Sequence, residues 1–201
     1  MPVIKESSDE LNPPVVTAAS VAPVRRRRTP GDYLALALAT CGVGLLPLAP
    51  GTWGSLVGVA LYAGLQAAST RLFARAATGG HAPPLALLQT TLLLLVLTAL
   101  TLAGVWAATR VERLLARKDP GAVVIDEVAG QLLTFAFVPY GGAWTLVVGF
   151  LAFRFFDITK PYPVRRLEAL ESGLGIMADD LLAGLYAAVL LAVTMTLRAL
   201  F

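Results

Sequence analysis

From Tyr33 onward apolar residues dominate the chain, and polar positions divide them into a few long segments. The cleanest candidate span, residues 85–108, holds no charged residue and matches the roughly 20 residues a helix needs to cross a bilayer. No charge falls between Asp32 and Arg71 either. That run cannot be one smooth helix, because Pro47 and Pro50 remove backbone donors and Gly42, Gly44, Gly51 and Gly54 loosen the chain. The pattern predicts a short helix up to Cys41, a loop, and a helix over residues 55–69. Residues 123–138 and 143–158 are two further apolar segments, separated by the turn signal "PYGG". Each is short for a full span, which predicts a helical hairpin or a partly embedded pair. A last apolar helix is expected from about Asp180 to Phe201. Strand signals are weak throughout and no repeat is visible. The chain therefore reads as an all-α, polytopic membrane protein with short or partly embedded helices and Gly/Pro-rich loops.

Residues 1–29 are polar and lack a period, so they read as a flexible tail ahead of an embedded domain over residues 30–201. The tail ends in four consecutive arginines at 25–28. No small-residue cleavage site follows them, which favours a positive-inside anchor over a secretory signal. The composition agrees: 57% of the residues are hydrophobic and 14% charged, against about a quarter charged in soluble domains. A net charge of +3, scattered along the chain, gives no footprint for nucleic acid. Cys41 and His81 are each the only residue of their type, so neither an internal disulfide nor a zinc ligand set is available. Arg110, Arg113, Arg117 and Lys118 follow the segment 85–108, which puts that end in the cytoplasm.

The acids are placed unevenly. Asp119, Asp126, Glu127, Asp157, Asp179 and Asp180 lie at or inside the ends of apolar segments, where a lone central Asp costs on the order of 2.5–3.5 kcal/mol. Helix capping accounts for one acid of such a pair and poorly for two. The adjacent pairs Asp126-Glu127 and Asp179-Asp180, together with Asp157, fit a hard-cation site, and Mg²⁺ takes carboxylate oxygens of this kind. In "FRFFDITKPYP", Arg154 and Lys160 stand three residues either side of Asp157 on a shared helix face. They form either an internal ion-pair ladder or the cationic half of an anion site, for which Arg offers a flat fork and Lys a compact charge. The loop "GVGLLPLAPGTWGS" contributes Gly51 and Gly54, where a phosphate could approach the backbone, and the hydroxyls of Thr52 and Ser55. Ser55 is a candidate helix cap, and a simple re-entrant turn is the competing account of the loop. Gly173 and Gly175 in "GLGIMADD" are expected to form a tight bend that delivers Asp179.

The stretches "GVGLLPLAPGTWGS", "DPGAVVIDEVAGQ", "FRFFDITKPYPVRRLE" and "GLGIMADDLLAG", in that order, resemble the bacterial phosphatidylglycerophosphatase A family from Tyr33 to the C-terminus. The resemblance implies a Mg²⁺-dependent, multi-pass enzyme of the bacterial inner membrane, and the basic run from Arg110 to Lys118 leading into "DPGAVVIDE" turns its active site toward the cytoplasm. The resemblance also implies removal of the terminal phosphate of phosphatidylglycerophosphate, with membrane lipids as surroundings and no obligate protein partner. Asp126, Glu127, Asp157, Lys160, Asp179 and Asp180 fall on the matching motifs. The residue chemistry, rather than the resemblance, suggests that Asp126, Glu127, Asp179 and Asp180 hold Mg²⁺, Arg154 and Lys160 bind the phosphoryl group, and Asp157 positions or deprotonates water. An aspartyl-phosphate route stays open.

Other chemistries fit less well. A cysteine-phosphatase loop would need Arg six residues after Cys41, where Pro47 stands, and Asp157 is followed by Thr159 in place of a second acid. A lipid-forming transferase lacks its D-G-x-x-A-R signature here. A cation carrier would use mid-span acids without needing Arg154 or Lys160.

Overall fold

The computed structural model describes residues 27–78, 84–167 and 170–201. Most of the expected tail lies outside them, as does His81. Among the described residues the regular elements are helices. They are α1 (Pro30–Thr40), α2 (Pro50–Thr78), α3 (Leu85–Leu115), α4 (Ile125–Thr134), α5 (Ala143–Thr159), the single turn α6 (Val164–Leu167) and α7 (Ser172–Leu200). A 3₁₀ turn at Val43–Leu45 sits between α1 and α2. Three helices, α2, α3 and α7, are long and apolar enough to cross a membrane. Such helices satisfy their own backbone donors and acceptors, which lets leucines such as Leu95 and Leu102 stay outward-facing and exposed. The protein is an all-α polytopic membrane protein.

Helix α4 has only 10 residues and α5 has 17, and they form the hairpin that the two short apolar segments predict. Gly149 of α5 packs against the ring of Phe135, which follows α4. Phe135 in turn stacks on Tyr62 of α2 with ring centroids 4.4 Å apart. α7 packs antiparallel to α3, since its first turn meets the last turns of α3 at Val105 and Thr109. Its far end reaches the start of α5, where Arg198 lies over Trp144.

Two boundaries differ from the sequence expectation. α2 starts at Pro50 rather than 55, because proline at the first position gives up a donor that the first turn never uses. It also continues through Arg71 and Arg75 to Thr78, past the expected stop at Ser69. α7 starts at Ser172, so Gly173 and Gly175 are helical and the expected tight bend is absent. Their missing side chains serve packing instead. A Cβ on Gly173 would run into the Val105 carbonyl and Thr109, and the Gly173 amide donates to Thr109 Oγ1 at 3.0 Å.

α4 and α7 also approach closely. A Cβ on Gly184 would overlap the backbone of Gly130, and one on Gly130 would meet the Asp180 carbonyl and Phe153. Ala183 and Ala187 of α7, both buried, pack instead with Ala152 and Phe153 of α5, so small residues line both sides of α7. Membrane helices associate through such surfaces, because lipid supplies no hydrophobic force between them. Gly184→Val should therefore destabilise the protein by about 1–3 kcal/mol, read as thermal unfolding in detergent. Gly64 of α2 has open space around it. Gly64→Ala should leave stability unchanged or raise it by roughly 0.5–1 kcal/mol. Equal effects of the two substitutions would contradict the packing account.

Candidate active site

Each short motif is held by a different helix. Val124 donates its amide to Ala39 O at 2.8 Å, which ties the start of α4 to the end of α1. Asp126 and Glu127 then occupy the first turn of α4, where the helix dipole favours acids. Asp179 and Asp180 lie inside α7, roughly 12 Å along its axis from Ser172. Arg154 and Asp157 stand near the end of α5, and Lys160 caps it with a left-handed φ of 42°. All of these residues, with Gly51, line one cavity of about 320 Å³.

Within it the charges sort into two groups. Asp126, Glu127 and Asp180 each offer a carboxylate oxygen, and these atoms lie within 4.8 Å of one another. One oxygen each of Asp126 and Glu127 is buried without a hydrogen-bond partner. Burial pushes the Asp126 carboxyl well above the usual carboxylate range, with the charges of Glu127 and Asp180 adding to it, and burial also raises Glu127. Buried oxygens crowded and unpartnered in this way are strongly unfavourable as bare anions, and a divalent cation removes the penalty. The donor set is all oxygen and suits a hard ion such as Mg²⁺.

The second group is paired. Arg154 Nη1 donates to Asp157 Oδ2 at 2.5 Å, and Lys160 Nζ to Asp179 Oδ2 at 2.7 Å. Asp179 Oδ1 accepts the Asp180 amide at 3.0 Å. Asp179 thus lines the cavity outside the carboxylate trio, turned toward Lys160. The predicted shared face of Arg154, Asp157 and Lys160 yields the Arg154–Asp157 pair, while Lys160 also reaches across to another helix.

The residues of the glycine-rich loop divide. A Cβ on Gly51 would overlap Glu127 Oε1 and approach Arg154, so glycine is what leaves Glu127 room. Gly54 packs against Val124 and the Glu127 stem, behind the cavity wall. Thr52 and Ser55 do not line the cavity. Ser55 is not the cap it was expected to be, because α2 starts a turn earlier. Its hydroxyl donates to Gly51 O at 2.8 Å and accepts from Arg154 Nη1 at 3.4 Å. Asp119, which the sequence places among the acids at segment ends without a specific role, also lines the cavity, as does Ile176, which it does not single out. Asp119, seven residues ahead of Asp126 beside a Pro-Gly turn, carried a usable signal; Ile176 carried none.

The sequence pattern of the family described as Phosphatidylglycerophosphatase A matches residues 36–195. The chain belongs to that family. A Haemophilus influenzae phosphatidylglycerophosphatase A is 35% identical over 74% of this chain and 80% of its own length. The Escherichia coli protein of the same name is 28% identical over 73% and 74%. A Bacteroides thetaiotaomicron protein with the provisional name phosphatidylinositol-3-phosphatase is 39% identical over 76% and 87%. No solved structure matches the chain. With its family and its membrane-crossing helices, the protein is a membrane phosphatase.

The Lys160–Asp179 pair yields a stability prediction independent of turnover. Lys160→Met leaves Asp179 buried without this cation and should cost about 2–3 kcal/mol, less than a fully buried pair because Lys160 is partly exposed. Adding Asp179→Asn should recover most of the loss. Thermal unfolding in detergent measures both, and a double variant no more stable than the single one would contradict the pairing.

Proposed function

We propose that this protein hydrolyses the terminal phosphomonoester of phosphatidylglycerophosphate, giving phosphatidylglycerol and phosphate, with Mg²⁺ as cofactor. The observation that carries the reading is the single cavity in which Asp126, Glu127 and Asp180 face Arg154 and Lys160. Clustered carboxylates beside fork-shaped and compact cations suit a metal-assisted phosphate site. The names of the Haemophilus influenzae and Escherichia coli relatives support the choice of lipid.

Asp126, Glu127 and Asp180 would hold the ion, which supplies Lewis-acid polarisation of a phosphoryl oxygen. Arg154 meets the phosphoryl oxygens with its two-pronged donor set, and Lys160 adds a point charge as negative charge builds toward the leaving glycerol oxygen. Asp157, held by Arg154, accepts a hydrogen bond from water and aims it at phosphorus, opposite the bond that breaks. Asp179 keeps Lys160 extended into the cavity. Water adds to phosphorus and gives a proton to Asp157, the ester P–O bond opens, the glycerol oxygen takes a proton from solvent, and Asp157 returns its proton to solvent.

The reading includes a cytoplasmic face at the bacterial inner membrane. Arg27, Arg28, Arg113, Arg117, Lys118, Arg165 and Arg166 are exposed around the cavity end of the helices, against Arg71, Arg75 and Arg198 toward the far ends of α2 and α7. The positive-inside rule turns the richer end inward. Arg110 at that end pairs with Asp32 at 2.7 Å.

The Bacteroides thetaiotaomicron relative's name favours a second reading, phosphatidylinositol 3-phosphate as substrate. Phosphate release from each lipid in mixed micelles decides between them, and faster release from phosphatidylglycerophosphate is expected. Chelation should abolish release and added Mg²⁺ restore it. Asp126→Asn should lower turnover by on the order of a hundredfold or more while leaving the fold intact. Full activity in excess chelator would end the metal reading.

A further inference from the structure

Beside the cavity lies an apolar loop that the chemistry above does not use. Ala49, Pro50 and Gly51 form part of the cavity wall. The residues just before them are outward-facing: Leu45 is 71% exposed and Leu48 78%, and Leu46 and Trp53 are also exposed. Polar or charged side chains would be expected on a water-facing loop of this kind, yet none is charged from residue 33 to residue 70.

We propose that this loop is the acyl-chain subsite of the enzyme, a lip seated in the membrane surface on which the diacylglycerol part of the substrate lies while its terminal phosphate reaches the acids. The proposal rests on the lipid-phosphatase reading above and deepens it. Three observations point to lipid as the occupant. The lip continues directly into α2, one of the membrane-crossing helices, whose first turns also turn Trp53 and Leu56 outward. Its backbone is irregular, with left-handed residues at Cys41, Gly42 and Ala49. Irregular backbone facing lipid is excluded from the hydrocarbon but tolerated at the interface, where side chains alone dip inward. Trp53 Nε1 donates to Leu48 O at 3.0 Å, and tryptophan favours that same depth, which fixes the lip at headgroup level with its leucines pointing out.

The inner side of the lip is also fitted to the site. A Cβ on Gly44 would collide with the Ala122 carbonyl and crowd Val124, so the lip is pressed onto the segment that leads into Asp126 and Glu127. Chains held on the outside of the lip and a phosphate held inside Gly51 are therefore separated by little more than the loop itself. An enzyme built this way draws its substrate sideways from the bilayer and handles a water-soluble phosphomonoester without help from the lip.

The test compares long-chain phosphatidylglycerophosphate in mixed micelles with its water-soluble dibutanoyl form. For Leu45→Ser/Leu48→Ser, KM for the long-chain lipid should rise roughly tenfold or more with kcat retained, while both constants for the short-chain form stay unchanged. Equal losses on the two substrates would overturn the proposal, as would an unchanged long-chain KM. A second measurement does not depend on turnover. In protein carrying Trp106→Phe and Trp144→Phe, Trp53 is the remaining tryptophan, and lipids brominated on their chains should quench its fluorescence. Absence of quenching would mean that water, a protein partner or a second copy covers the lip, and would also overturn the proposal. If the unaltered protein releases no phosphate from either form, the substrate reading fails, and the quenching still decides the lip.

Discussion

The close crossing of α4 and α7 is the constraint on which the remaining structure depends. Asp126 and Glu127 sit one turn before Gly130, and Asp180 sits one turn before Gly184. Only when those two glycines touch do carboxylates from separate helices come within reach of one ion. Any side chain at the crossing would push the helices apart by about its own size, and the three acids would separate with them. A packing contact between residues without side chains thus sets the chemistry of the charged residues beside it.

The second constraint is electrostatic. Acids at the boundary of a low-dielectric medium need countercharge, and the site supplies it in two forms. Asp157 and Asp179 are matched by Arg154 and Lys160 across short hydrogen bonds. Asp126, Glu127 and Asp180 form a trio that calls for a cation from outside. The division leaves one half of the cavity with fixed positive charge and the other with clustered carboxylates. It also explains why Lys160 adopts a left-handed backbone at the end of α5, since the helix must stop there for Lys160 to reach α7.

Around this centre the scaffold supplies depth and direction. Two long helices, α2 and α7, start near the cavity and run away from it, while α3 returns to it. The hairpin of α4 and α5 enters from the same side, supported by the stack of Phe135 on Tyr62. The charged motifs therefore share one end of the bundle, next to the exposed leucines before α2. The cavity and the exposed leucines lie close together because Ala49, Pro50 and Gly51, which line the cavity, directly follow those leucines in the chain.

Much of this was legible in the sequence. The long uncharged segments, their lengths and their flanking charges follow from local transfer free energy, which depends only on the residues in each segment. So do the helical class, the hairpin at "PYGG" and the unusual cost of the acids. The start of α7 was not legible, because glycine loosens an isolated helix and equally permits close packing, and only a neighbouring helix decides which effect wins. The role of Ser55 changed for a related reason: α2 began at Pro50, one turn ahead of the expected cap. Which acids come together, and that Lys160 reaches Asp179 on another helix, depends on distances between segments far apart in the chain. Those distances are set by the packing of whole helices against one another, and no local pattern encodes them.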